Sequence, residues 1–163
     1  MRKYFLILGL ASTHLFALGQ DLNRKNEIFM ELGGNGLLGS LNFARQLTKN
    51  PGLEFRVGLG AFGSEKTFLT IPVSLNYILG LGGQHASLSF GMGMTYTKAD
   101  VRMRIIDYEE GYEDTRSAPV NLVPSLAYRY HTTKNLLWKV GFNPIFNKHG
   151  FSPSFGLSAG KRF

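Results

Sequence analysis

The chain has 163 residues and a formal charge of +7; 18% of it is charged, 13% is aromatic, and it holds 20 glycines and no cysteine. Charge is sparser than the quarter or so typical of a soluble domain, and the basic excess forms no run or patch suited to nucleic acid. The absence of cysteine excludes a disulfide framework and thiol chemistry.

The first residues read as an address. Met1-Arg2-Lys3 is a short positive head, "YFLILGLASTHLFAL" is the apolar stretch behind it, and Ala17-Leu18-Gly19 offers small residues where a signal peptidase reads. This layout predicts a secretory signal peptide over 1–19, cleaved to leave Gln20 at the new N-terminus. A lipid-anchored product needs an acceptor cysteine and is not expected. Residues 20–163 are of a size for one domain with one core, and no later run approaches the roughly 20 apolar residues of a spanning helix.

From there almost every segment has period two. "NEIFMEL", "LLGSLNFARQ", "LEFRVGLGAF", "FLTIPVSLNYIL", "HASLSFGMGMTYT", "PVNLVPSLAYRY", "LLWKVGFN" and "FSPSFGLSAGKRF" follow one another along the chain. In the fifth, Ala86, Leu88, Phe90, Met92, Met94 and Tyr96 oppose Ser87, Ser89, Gly91, Gly93, Thr95 and Thr97. Such alternation sends apolar side chains to one face of a strand and small or polar ones to the other. The reading predicts about eight strands, each near the length that crosses a bilayer at a tilt.

The links alternate too. Those at 48–52, 81–84 and 131–134 are tight and polar; those at 33–36 ("GGNG"), 63–67, 98–117 and 144–150 lie at the other end, and only 98–117 is long. Short turns at the periplasmic end and longer loops outside are the habit of bacterial membrane barrels. An even strand count then puts both termini in the periplasm, with "GGNG" an unusually short outer loop.

Two architectures use strands of this kind. A soluble exported barrel of lipocalin type turns its apolar parity inward around a hydrophobic ligand; a membrane barrel turns it outward to lipid. The polar parity decides between them. It is rich in Gly, Ser, Thr and Asn, and carries Glu27, Glu31, Glu54, Arg56, Arg129 and Lys139. A solvated face carries more Lys and Glu and far less Gly, whereas a narrow lumen needs small side chains and charges of both signs that pair. The expected fold is all-β: a closed, antiparallel, up-and-down transmembrane barrel with these six residues as a luminal charge network. Tyr77, Tyr128, Tyr130 and Trp138 near the tight turns fit an interfacial belt, with Tyr96 at the opposite end.

These features resemble the small outer-membrane β-barrel proteins of Gram-negative bacteria. The terminal "FGLSAGKRF" ends on an aromatic residue, and "MELGGNGLLGSLNFARQL" (30–47) is similar to the first hairpin of small, largely uncharacterised barrels from Bacteroidota. The resemblance implies a place in the outer membrane among its lipids. It also implies an assembly signal in Phe155, Leu157 and Phe163, read by the barrel-assembly machinery. Lys161 departs from the pattern, since an apolar or aromatic residue is usual there; its ammonium must snorkel to the headgroups.

Candidate chemistry is thin. Some barrels of this kind modify lipid A with His, Ser and an acid near the outer rim. Here His85 and Ser87 share a face, but it is the luminal one, beside a tight turn at the wrong end. His149 has Phe151 two residues on, and His131 is expected in a turn. The acidic segment holds Asp107, Tyr108, Glu109, Glu110, Tyr112, Glu113 and Asp114, whose spacing is not that of an EF-hand. "GLGAFG" (58–63) lies in a strand pattern with no helix after it, so it forms no phosphate-binding loop. The expectation is a non-enzymatic protein without metal or cofactor, too narrow for a general porin, whose role is structural, adhesive or partner-binding through 98–117.

Overall fold

Alternation this regular has one low-energy outcome, a sheet whose two faces meet different surroundings. The computed structural model describes residues 25–48, 52–63, 67–82, 85–98, 119–147 and 150–163. Its strands are β1 (Asn26–Gly33), β2 (Gly39–Gln46), β3 (Gly52–Phe62), β4 (Phe68–Gly80), β5 (Ala86–Thr97), β6 (Val120–His131), β7 (Leu136–Phe142), β8 (Ile145–Asn147), β9 (Gly150–Ser152) and β10 (Phe155–Arg162). All neighbours pair antiparallel, and the β5–β6 and β1–β10 pairings close the sheet into a barrel.

Ten segments make eight staves. β7 pairs β6 in the register that sets Leu126 opposite Phe142, and β8 continues it with Leu122 opposite Phe146. β10 and β9 likewise share one register, Phe155 against Phe142 and Ser152 against Ile145. The break between segments is one of donors. The shared registers line up Pro124, Pro144 and Pro153 across three adjacent staves, and a proline has no N–H for the ladder. Asn143 N–H still donates to the Ser154 carbonyl (2.7 Å), which holds the hairpin together through the break. The expected link at 144–150 is therefore mostly ladder, because parity and register run through Pro144.

Following the pairs from Ile28 through Phe43, Val57, Val73, Met94, Leu122, Phe146 and Phe151 leads back to β1 opposite position 38, a stagger of ten residues. With ordinary strand rise and spacing, that stagger in eight strands means a tilt of about 40°.

The barrel is inside-out. Leu, Met, Phe, Val and Tyr stand exposed on the outer face of every stave, while Glu27, Glu31, Asn42, Glu54, Arg56, Thr70, Asn76, Thr95 and Arg129 are buried inside. Hydrophobic burial on folding in water gives the opposite arrangement. The closed sheet leaves no edge for the terminal strand to fray from: Phe163 N–H donates to the Asn26 carbonyl (2.8 Å) and Asn26 N–H to the Phe163 carbonyl (3.1 Å).

The "GGNG" link departs from expectation most. Gly34–Gly36 form one turn of 3-10 helix that folds into the barrel, and Gly34, Asn35, Gly36 and Leu37 are all buried. Thr70 Oγ1 donates to the Gly36 carbonyl (3.1 Å) and Thr95 Oγ1 to the Asn35 carbonyl (2.5 Å). Leu37 packs on Val123, Ile145 and Phe62 from across the lumen. The sharp inward path needs left-handed backbone at Gly33, Gly34 and Leu37, which glycine adopts freely and leucine does not. What reads as a short outer loop is a plug, because the narrow bore offers this turn partners on every side.

Candidate functional site: the luminal network

Inside the barrel each stave contributes every second side chain, so residues distant in sequence meet in layers. At the end with the tight turns, Glu27 of β1 accepts hydrogen bonds from two residues and has a third cation within ion-pair distance. Arg129 Nη2 reaches Oε2 at 2.5 Å, His131 Nε2 reaches Oε1 at 3.0 Å, and Arg162 Nε lies 3.8 Å from the same oxygen. Arg162 Nη2 also donates to Gln46 Oε1 (2.5 Å). Arg129 bridges upward, its Nη1 donating to Glu54 Oε2 (2.7 Å), and is 1% exposed, the largest fully buried side chain among the described residues.

Above this layer sits an apolar one, Phe29 with Ala44 and Leu137. The Phe29 ring has the Lys139 ammonium 3.5 Å from its centroid and the Arg56 guanidinium at 5.0 Å, so its electron-rich face attracts both cations without neutralising either. Beyond it, Arg56 pairs with Glu31 and donates to Asn42 Oδ1 through Nε (3.0 Å) and Nη2 (2.9 Å). Ser158 donates to Glu31 (3.4 Å), and Asn76 to Glu54 (3.4 Å) and Ser74 (3.2 Å). Apart from Lys139, each buried charge here is paired or hydrogen-bonded, the condition under which charges are tolerated away from water.

The six residues expected in the lumen all lie there. Glu27, Arg129 and Glu54 form one chain, Glu31 and Arg56 a second, and Lys139 stands between them against Phe29 rather than in an ion pair. Missing from the expectation were His131, Arg162, Asn42 and Phe29. His131 is the last residue of β6 and points inward rather than lying in a turn; its shared parity with Arg129 was the available signal. Nothing in the sequence marks Phe29, an apolar residue on the polar parity between Glu27 and Glu31, as anything but a lapse in alternation.

His85 Nδ1 contacts the His131 carbonyl (2.8 Å), and the His131 N–H donates to the His85 carbonyl (2.8 Å), so this imidazole is tied to the β5–β6 edge rather than to Ser87. Phe155 and Leu157 face outward and Phe163 holds the end of the closing strand. The expected signal peptide over 1–19, His149 and the acidic stretch from Asp107 to Asp114 lie outside the described residues. Among the described residues no cluster of His, Asp or Glu is spaced to hold a metal ion.

No family model matches the chain, and no curated protein does either. Among solved structures it is similar to the Yersinia pestis outer membrane protein Ail in a phospholipid bilayer nanodisc: TM-score 0.55, 12% identity, covering 86% of this chain and 100% of that one. It is equally similar to the N-terminal β-barrel domain of Pseudomonas aeruginosa OprF, with TM-score 0.55, 15% identity, and 85% and 96% covered. At these identities the likeness is one of fold: a closed, eight-stranded, antiparallel β-barrel of the kind found in outer-membrane proteins.

Proposed function

We propose that this chain is a non-enzymatic outer-membrane protein of a Gram-negative envelope, reached through the signal peptide over 1–19, with a structural, adhesive or partner-binding role. The observation that carries the reading is the inverted barrel: bulky apolar side chains outside, paired charges and small polar groups inside. Only a lipid surround makes that arrangement stable, and closure satisfies the backbone without water. The fold shared with two outer-membrane proteins supports it.

The bore is filled by side chains and by the inward turn at 34–36, which argues against a general porin. That leaves the loop end to meet partners, and 98–117, with its acids and tyrosines, is the longest segment there. Loops on a rigid scaffold are where binding residues concentrate.

The deciding experiment extracts the membrane fraction in detergent and compares gel migration with and without boiling. A heat-modifiable band is expected; a protein that stays in the aqueous fraction overturns the assignment. A pull-down with and without residues 98–117 then tests the partner role, and unchanged recovery of a partner removes that segment from it. Lipid A mass spectrometry with and without expression is expected to be identical, and a change lost in His85→Ala would make the protein an enzyme.

A further inference from the structure

We propose that the outer face of the tight-turn rim, where β1 meets β10, binds the phosphate of an anionic phospholipid through Arg45, Lys134 and Lys161. The site presupposes the bilayer placement above and names the lipid that this end of the barrel selects.

Charge is sorted between the two surfaces of the sheet. Among the described residues every side-chain carboxylate, Glu27, Glu31 and Glu54, is buried in the lumen, where Arg56, Arg129 and Lys139 balance them. Arg162 borders that set at the rim, donating to Gln46 and 3.8 Å from Glu27. What remains is cationic: Lys25, Arg45, Lys134 and Lys161 at the tight-turn end and Lys98 at the other. None of the ion pairs among the described residues reaches these five. Besides the carboxyl group of Phe163, whose oxygen accepts the Asn26 N–H (3.1 Å), this rim presents no outward anion among the described residues. The links repeat the bias: those at 48–52, 81–84 and 131–134 contain Lys49 and Lys134 and no acid, whereas 98–117 holds more acids than bases.

Register gathers three of these cations at the seam. Arg45 stands opposite Asn26, which exchanges both backbone bonds with Phe163; Lys161 stands between Ile28 and Leu136. Arg45 and Lys161 share the outward parity of Phe43 and Leu157, two strands and two residues apart, about 12 Å at the backbone by ordinary strand spacing and rise. Lys134 joins them from the turn that the Asn135 carbonyl ties to the Arg162 N–H (2.9 Å). A phosphate suits this set, since a guanidinium grips two of its oxygens and each ammonium adds a point charge. The depth agrees. Trp138 and Tyr130 pair one step closer to the middle of the barrel than Leu136, so the cations lie just beyond the aromatic belt, at the level of the phosphates.

The test reconstitutes the full folded chain in phosphatidylcholine vesicles and reads Trp138, the single tryptophan. Phosphatidylglycerol and phosphatidylcholine, brominated at the same acyl position near the headgroup, are compared as quenchers. Half-maximal quenching is expected at about a fifth of the mole fraction for the anionic lipid, the scale of one cation engaged at a charged surface. The preference shrinks as salt rises. Arg45→Gln with Lys161→Gln brings the two lipids to parity, whereas Lys98→Gln at the other end keeps the preference. Heat-modifiable migration confirms that each variant is folded; if the double variant is not, Lys161→Gln alone is read for a fall in the same ratio. Equal quenching by both lipids in the unmodified chain overturns the site and leaves the membrane placement standing, while quenching by neither overturns both. A preference that survives the double variant, or that Lys98→Gln removes equally, also overturns the site.

Discussion

Arg129 shows how one side chain can hold a barrel shut. It reaches Glu27 with one nitrogen and Glu54 with the other, tying β6 to β1 and β3 across the lumen. Removing it takes a guanidinium from two carboxylates, each 2% exposed, and leaves Glu54 with the Asn76 amide and Glu27 with His131 and Arg162. Loss of one partner from a buried pair costs about 3–5 kcal/mol, much of it the price of the charge left behind. Arg129→Met is therefore expected to lower the unfolding free energy of the refolded protein by that much, read as a fall in its urea midpoint. Adding Glu54→Gln recovers part of the loss, because one stranded charge is then gone. A midpoint unmoved by Arg129→Met would mean that water already reaches both carboxylates. Phe29 offers a milder comparison. Phe29→Leu keeps the apolar contact with Ala44 and Leu137 but removes the ring under Lys139 and Arg56, and about 1 kcal/mol is expected from the same measurement.

At the scale of elements, the inward turn at 34–36 sets two effects against each other at Leu37. Its side chain fills the far end of the lumen with Val123 and Ile145, yet its φ of 75° belongs to glycine. Leu37→Ala loses the packing, about 2–5 kcal/mol, and keeps the backbone strain. Leu37→Gly loses the same packing and relieves strain of order 1 kcal/mol. Leu37→Gly should thus be the less destabilising of the two, the reverse of their order in a regular strand; thermal or urea unfolding of the pair decides it. The same turn marks the limit of what the sequence reveals. Alternation is a local property, so the strands, their two faces and the luminal position of Glu54, Arg56 or Lys139 are legible residue by residue. Whether a four-residue link bends outward or inward depends on Thr70 and Thr95, three and four strands away from β1 in the sheet. The continuation of a ladder through Pro144 depends on registers set by β6 and β10. Neither is written in the segment itself.

For the molecule as a whole, the question is which solvent meets the apolar face, and the chain carries its own probe. It has a single tryptophan. Trp138 lies on β7, paired with Tyr130 on one side and Ala159 on the other, and is 55% exposed on the outer face. The turn at Thr132–Asn135 is close by along the stave, so in a bilayer the indole sits at the headgroup boundary rather than at the midplane, where aromatic belts form. A soluble barrel with the same strand order would present this residue to water or hide it in a core. Reconstitution into vesicles separates these cases. Acyl chains brominated near the headgroup are expected to quench Trp138 strongly, chains brominated near the terminal methyl less, and aqueous iodide least. The order follows from depth alone and needs no knowledge of the partner or of the loops. Iodide quenching that exceeds both lipid quenchers would put the outer face in water, and the inverted distribution of charge inside the barrel would then have no physical account.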